Sequence, residues 1–255
     1  MWRKLIIGEL TVLAVVLGAA RITAARAHDA DHRIVPPDEI VFARTYGDWA
    51  AQWWQWALSL PAAAHPLLNT ADCSVGQSGP VWFLGARSCA IGDTTCNTSQ
   101  VKRTCTVPFG KLLFFPVLNY ADSKLEEASF GNPNATVAEI RAFLAAQVDG
   151  SANVSASVDG VPVPHVKERF RVQAPVFSFT LPACNPPDPA HSCDLLSAVG
   201  EGPFPPGEYV TNVDDGVYLM VEPLRPGRHT IHFHGEFPAF NFGFDVTYEL
   251  TITHQ

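Results

Sequence analysis

Histidine is the residue type whose spacing first suggests chemistry. Arg228-His-Thr-Ile-His-Phe-His-Gly-Glu236 alternates polar and apolar side chains with the period of a β-strand. On such a strand Thr230, His232 and His234 share one face, while His229, Ile231 and Phe233 share the other. His-x-His aims two imidazoles the same way, as a divalent zinc, copper or iron ion requires. The next strand, Phe242–Thr253, sets Phe242, Phe244, Val246, Tyr248, Leu250 and Ile252 on one face and Asp245, Thr247, Glu249, Thr251 and Thr253 on the other. The short connection predicts an antiparallel hairpin. Matching parity then puts Asp245 beside His232 or His234, since opposed residues lie about 4.5–5.5 Å apart at Cβ. Two imidazoles and a carboxylate are a minimal metal set, with Glu236 as a further ligand supplied by the turn. The competing reading is a solvated polar sheet face. His229, on the apolar side, reads as a core histidine with its hydrogen bonds met.

A further histidine depends on processing. Arg3 and Lys4 precede an apolar stretch from Leu5 to Ala20, and Ala25-Arg26-Ala27 supplies the small residues that a signal peptidase reads. The uninterrupted apolar run Val12–Ala20 falls short of the roughly 20 residues a membrane span needs. Residues 1–27 are therefore expected to be a signal peptide. Residues 28–255 then form a single secreted or periplasmic domain without a transmembrane segment. Its half over 28–150 contains helices and a disulfide loop, and its half over 151–255 is β-rich. Cleavage after Ala27 would make His28 the first residue, followed by Asp29, Asp31 and His32. An amino-terminal histidine can chelate copper through its amine and ring, as in the histidine brace of lytic polysaccharide monooxygenases. Those enzymes are also secreted β-sandwiches, but their sequence blocks are absent here.

Tryptophan is the third informative type. Thr45-x-x-Asp48 is a capping-box pattern ahead of a helix running to about Leu60, where Pro61 stops it. Trp49, Trp53, Trp56 and Leu60 follow a 3.6-residue period, and Trp54 falls off that stripe. The stripe predicts a core helix. The alternative is an aromatic platform of Trp49, Trp53, Trp54 and Trp56 for sugar rings or a small apolar ligand.

These residues need a frame. Short strands are expected at Val81–Leu84 and Val101–Val107. The apolar run Lys111–Leu118 reads as a strand buried on both faces, with Pro116 marking an edge or a bulge. Thr136-x-x-Glu139 caps a second helix, Val137–Val148, with Ile140, Phe143, Leu144 and Val148 facing inward. Asn153–Val158 alternates as a strand before an Asp159-Gly160 turn, and Val176–Leu181 is another strand. Residues 182–207 read as one long loop held by a disulfide. Strands at Gly216–Glu222, Arg228–His234 and Phe242–Thr253 close the chain. The fold class is mainly β: an antiparallel β-sandwich, Ig-like or jelly-roll-like, with two or three packed helices.

Cysteine and charge narrow the class. Six cysteines, none in a C-x-x-C pair, favour three disulfides over a zinc ribbon. Fifteen pairings are possible, and the spacing favours Cys73–Cys105, Cys89–Cys96 and Cys184–Cys193. The 255 residues are 47% hydrophobic and 16% charged, enough to bury a core and too apolar for disorder. A net charge of −8 with no basic run argues against nucleic acid as a partner. Loss of residues 1–27 removes four basic residues and one acid, taking the charge to −11. No GxGxxG, GxxxxGK[ST] or HExxH is present. Gly76-Gln-Ser78-Gly79-Pro80 lacks the last glycine of a nucleophile elbow. The acidic residues offer no spacing that singles out a catalytic pair.

Four blocks carry a resemblance. Thr45-Tyr-Gly-Asp-Trp with Gln52-Trp-Trp-Gln-Trp-Ala-Leu-Ser-Leu-Pro61, Gly76–Gly85, Cys105–Pro116 and Gly227–Phe233 resemble the corresponding blocks of a group of secreted bacterial proteins of uncharacterised activity. The resemblance spans about 45–118 and 150–253. It implies export and a single fold unit, and supplies no catalytic residue. The leading expectation is an exported, non-catalytic binding or envelope-associated protein for carbohydrate, a small apolar ligand or a cell-envelope component. The alternatives are a metal-dependent enzyme or metal-binding protein using His232 and His234, and a copper oxygenase using His28.

Overall fold

The computed structural model describes residues 34–68, 72–89, 100–185, 187 and 193–254. The expected signal peptide, His28 and its neighbours, and Cys96 of the expected Cys89–Cys96 bridge lie outside the described residues. The elements in chain order are α1 (Tyr46–Ser59), β1 (Val81–Phe83), β2 (Gln100–Pro108), β3 (Leu112–Ser123), α2 (Lys124–Ser129), α3 (Val137–Asp149), β4 (Ala152–Val158), β5 (Val161–Pro162), α4 (Val166–Phe170), β6 (Arg171–Gln173), β7 (Phe177–Leu181), α5 (Leu195–Val199), β8 (Gly207–Val221), β9 (Gly227–Phe237) and β10 (Phe242–Thr253).

Two five-stranded sheets pack together without closing. The first runs β1-β3-β8-β6, and β7 also pairs with β8. The second runs β2-β10-β9-β4-β5. Two pairings, β1 with β3 and β2 with β10, are parallel. The other pairings are antiparallel, including the expected β9–β10 hairpin. The burial patterns follow from the packing. β2 alternates between exposed and buried residues, as a strand with one wet face should. β3 and the second half of β8 are buried on both faces, because α1 covers one side of their sheet and the second sheet covers the other. On the α1 side Phe114 stacks on Tyr218 at 5.3 Å, and on the opposite side Phe115 stacks on Phe233 at 5.1 Å. Pro116 marks a bulge: the register against β8 slips between Pro116 and Leu118, just past the end of the β1 pairing at Phe114.

Helix α1 has the predicted cap. The Thr45 hydroxyl accepts from the Asp48 N–H, and the Asp48 carboxylate accepts from the Thr45 N–H at 2.9 Å. Trp49, Trp53 and Trp56 are all buried, so the stripe is core and offers no exposed platform. Burying an indole leaves an N–H to satisfy, and each finds a carbonyl on a neighbouring loop or strand end. Trp49 donates to Val41 O at 3.1 Å, Trp53 to Leu84 O at 2.7 Å and Trp56 to Val75 O at 3.3 Å. The segment after α1 is tied by His65. Its Nδ1 accepts from the Leu67 N–H at 3.0 Å, which leaves Nε2 to donate to Ala57 O at 2.7 Å. Burial keeps this imidazole below its usual pKa.

Helix α3 corrects one expectation. Ile140, Leu144 and Val148 are buried, but Phe143 is 41% exposed. At 100° per residue Phe143 lies about 100° from the centre of that stripe, on its flank, where it meets the edge of Tyr120 at 5.9 Å. Residues 182–207 are also more than a loop, because Asp194 caps the short helix α5. Cys73–Cys105 and Cys184–Cys193 are bridged as expected, with Cα atoms 5.8 and 5.5 Å apart.

Trp53→Ala removes a buried indole and the Leu84 hydrogen bond together. It is expected to cost about 3–5 kcal/mol of folding free energy. Urea denaturation of the oxidised protein checks this, and a loss under 1 kcal/mol would show that α1 is not packed as described.

Candidate functional site

Six elements converge on one cavity of about 500 Å³. Strand β3 delivers Asn119, Tyr120 and Ala121, and its end turns directly into α2. The Ser123 hydroxyl caps α2 by accepting from the Glu126 N–H at 3.2 Å and donates back to the Glu126 carboxylate. That exchange draws Glu126 into the interior, where it is buried. Helix α5 contributes Leu195, Leu196 and Val199. Gly200 then takes φ 91°, which lets the chain reverse and bring Glu201 against Glu126. Trp54 comes from α1, Asn212 from β8, and Phe237, Phe240 and Phe242 from the β9–β10 connection. Phe130 (65% exposed) and Phe240 (44%) stand at the rim.

Buried carboxyls dominate the electrostatics. Burial pushes the Glu126 carboxyl well above its ordinary range, and the negative charge of Glu201 pushes it further. Glu201 is raised as well, by burial, while its hydrogen bond with Glu126 acts to lower it. The two carboxyls therefore titrate as one interacting pair, both held above the ordinary carboxylate range. Beside them burial and a hydrogen bond to Glu127 push Asp122 up to about 7. Burial, with the surrounding acids, pushes Tyr120 up to about 12.

Behind the wall lies a further buried acid. Asp214, on β8, is fully buried. Its Oδ1 accepts from Trp54 Nε1 at 2.8 Å and from the Tyr218 hydroxyl at 2.9 Å, and Asn119 Nδ2 donates to that hydroxyl at 3.0 Å. Its Oδ2 has no partner. Burial pushes this carboxyl up to about 8, so it is protonated at neutral pH. The adjacent Asp215 faces different chemistry. Arg171 donates to both of its oxygens at 2.9 Å and Gln173 adds a third hydrogen bond. Asn212 Oδ1 is likewise buried without a partner, and Asn212 lines the cavity.

The histidine face lies elsewhere, on β9 and β10. Asp245 sits opposite His234, and Thr247 opposite His232. His232 Nε2 meets Asp245 Oδ1 at 2.7 Å, and His234 Nε2 meets Glu236 Oε1 at 3.0 Å. Asn153 Nδ2 donates to the other Glu236 oxygen at 2.9 Å, and this, with His234, holds the Glu236 carboxyl below its usual range. Asp245 thus pairs with His232 and lies 3.9 Å from Nδ1 of His234, which itself pairs with Glu236. Among the described residues no three His, Cys, Asp or Glu side chains are arranged to hold a metal ion. His229 is only partly buried, with Nδ1 on Asp159 and Nε2 on Arg225 O, both at 2.8 Å.

Of the four tryptophans of the platform reading, Trp54 lines this cavity, and it is the one off the helical stripe. Glu126, Glu201, Asp122 and Asn212 were not singled out from sequence. Ser123-x-x-Glu126 and the Asp214-Asp215 interruption of an apolar strand were the available signals, and Glu201 had none.

No protein-family model matches the chain, and no curated protein matches it. A solved structure, PbICP-C in complex with falcipain-2, contains a chain that is 10% identical over 67% of this chain and 98% of its own, with a TM-score of 0.24. A likeness that slight carries no argument about function.

The Asp214 shift has a pH consequence. A carboxyl raised when folded holds its proton more tightly in the folded chain. Its contribution to stability is then lost as pH rises from the unfolded carboxylate range near 4 to the folded value near 8. Asp214→Asn cannot ionise, so the fall in stability between pH 5 and pH 8 is expected to shrink by on the order of 2 kcal/mol. Urea midpoints at the two pH values measure this, and an unchanged fall would assign it to other groups.

Proposed function

We propose that this chain is an exported, non-catalytic binding protein whose ligand enters the aromatic cavity between α1, α2, α5, β3, β8 and the β9–β10 connection. The observation that carries the reading is the buried, unpartnered Asn212 oxygen in the wall of an otherwise largely apolar cavity. Leaving such an atom unpaired costs about 1–3 kcal/mol, which a ligand hydrogen bond would recover. An apolar lining with a few convergent polar groups is the ordinary form of a small-molecule site. Burial of Trp49, Trp53 and Trp56 favours a small apolar ligand here over sugar rings stacked on an open platform. Export is supported by the two disulfides, which persist in oxidising compartments, and by the resemblance of the aromatic blocks to those of secreted proteins. Among the described residues no helix is long and apolar enough to cross a membrane.

The test uses a neutral aromatic probe, N-phenyl-1-naphthylamine, whose fluorescence rises in apolar surroundings. The protein is expected to bind it saturably. Val199→Trp, which fills the cavity from the partly exposed face of α5, should weaken binding at least tenfold with little change in thermal stability. Equal binding by both proteins would move the probe, and the function, to another surface.

A further inference from the structure

We propose that the cavity selects an organic cation, an amine whose ammonium sits against Glu126, Glu201 and the Asn212 oxygen while its apolar body lies along Trp54, Leu196 and Phe242. This rests on the cavity being the ligand site. It adds the charge and hydrogen-bonding sense of the ligand.

Three observations converge. The first is the direction of the unused hydrogen bond: Asn212 Oδ1 is an acceptor, so the missing partner is a donor. Two of the wall's donors are already engaged, the Trp54 indole N–H on Asp214 and an Asn119 amide N–H on the Tyr218 hydroxyl. Second, the lining carries two carboxyls, Glu126 and Glu201, and no lysine, arginine or histidine among the described residues. Asp122 and Glu127 extend this group of interacting acids, and Tyr120 adds an aromatic face. An ammonium beside these raised carboxyls favours their ionised form. A cation there gains far more than it would at an exposed surface, and an anion is repelled. Third, the walls are aromatic. An ammonium over the face of an indole or phenol gains a further attraction that neither a neutral alcohol nor a carboxylate can match.

The size is compatible. A cavity of about 500 Å³ lies within the range of small-molecule sites and takes one bicyclic aromatic amine.

Three isosteric probes separate the charge term from the apolar term. These are 1-naphthylmethylamine, 1-naphthylmethanol and 1-naphthoate, titrated calorimetrically at pH 7 into the oxidised full chain. The amine is expected to bind at least tenfold tighter than the alcohol, and the carboxylate at least tenfold more weakly than the alcohol. Glu201→Gln, and separately Glu126→Gln, should bring the amine to within about threefold of the alcohol and leave the alcohol itself unchanged. The alcohol therefore serves as an internal control for a misfolded variant. An amine that binds no tighter than the alcohol overturns the cation assignment and leaves the binding reading standing. So does a preference that survives in both variants. Failure of all three probes at millimolar concentration, with the protein folded by near-ultraviolet circular dichroism, overturns both.

Discussion

A fully buried carboxyl in the middle of the longest strand constrains much of the rest of the molecule. Asp214 lies on β8 with no solvent contact, and a carboxyl in that position must be protonated or matched by donors. It is both, with Trp54 and Tyr218 as its donors. This fixes how α1 lies on the sheet, since the indole of Trp54 reaches Asp214 only in that placement. It also orders the chain around Tyr218, whose hydroxyl is in turn held by Asn119 across the β3–β8 pair. Gly216 belongs to the same arrangement. A Cβ there would come within 2.8 Å of the Tyr218 ring and 2.7 Å of Asn119 Cβ, so a side chain at this point would displace the network.

The neighbouring Asp215 solves the same problem differently. It meets a bidentate arginine, Arg171, which itself reaches Asp149 and the Ala145 carbonyl at the end of α3. Adjacent residues on one strand point to opposite faces, so two acids in sequence anchor two different layers. One acid ties α1 to the sheet through a neutral hydrogen-bond network, and the other ties α3 through an ion pair. With α1 held to the sheet in this way, the wall that Trp54 and Asn119 give the cavity is fixed by the protein's own hydrogen bonds.

The sequence disclosed what is periodic and concealed what is not. Both long helices were legible from Thr45-x-x-Asp48 and Thr136-x-x-Glu139, because a capping box and an apolar stripe are local signals. The β9–β10 pairing was legible for the same kind of reason. Alternation fixes parity, and parity places Asp245 on the face of His232 and His234. Phe143 was misplaced because one turn of helix leaves its flank ambiguous. The short elements α2, α4, α5 and β6 span too few residues to show a period. The cavity was the least legible part. Its acids come from 122–126 and 201, and its amide from 212. Nothing in a one-dimensional pattern reports that a loop reversal at Gly200 brings Glu201 to Glu126.

Histidine and glutamate therefore exchange roles between the reading of the chain and the folded molecule. The residues with the most suggestive spacing, His232 and His234, lie on a face where carboxylates already meet their ring nitrogens. The residues without spacing, Glu126 and Glu201, lie where burial leaves a carboxyl no partner but another carboxyl and a serine. Such an arrangement is costly. Two raised carboxyls and two unpartnered oxygens, on Asn212 and Asp214, all lower stability near neutral pH. Hydrophobic replacements of similar shape at Glu126 and Glu201 would remove the cost of those two carboxyls. Local violations of this kind in a well-packed fold are characteristic of sites shaped by something other than stability. Because Trp54 is clamped on Asp214, the inner wall is preorganised, and a ligand need order only the exposed rim of Phe130 and Phe240. On the proposed reading, the stability given up in the wall is recovered on binding, when the ligand supplies the partner that the fold withholds.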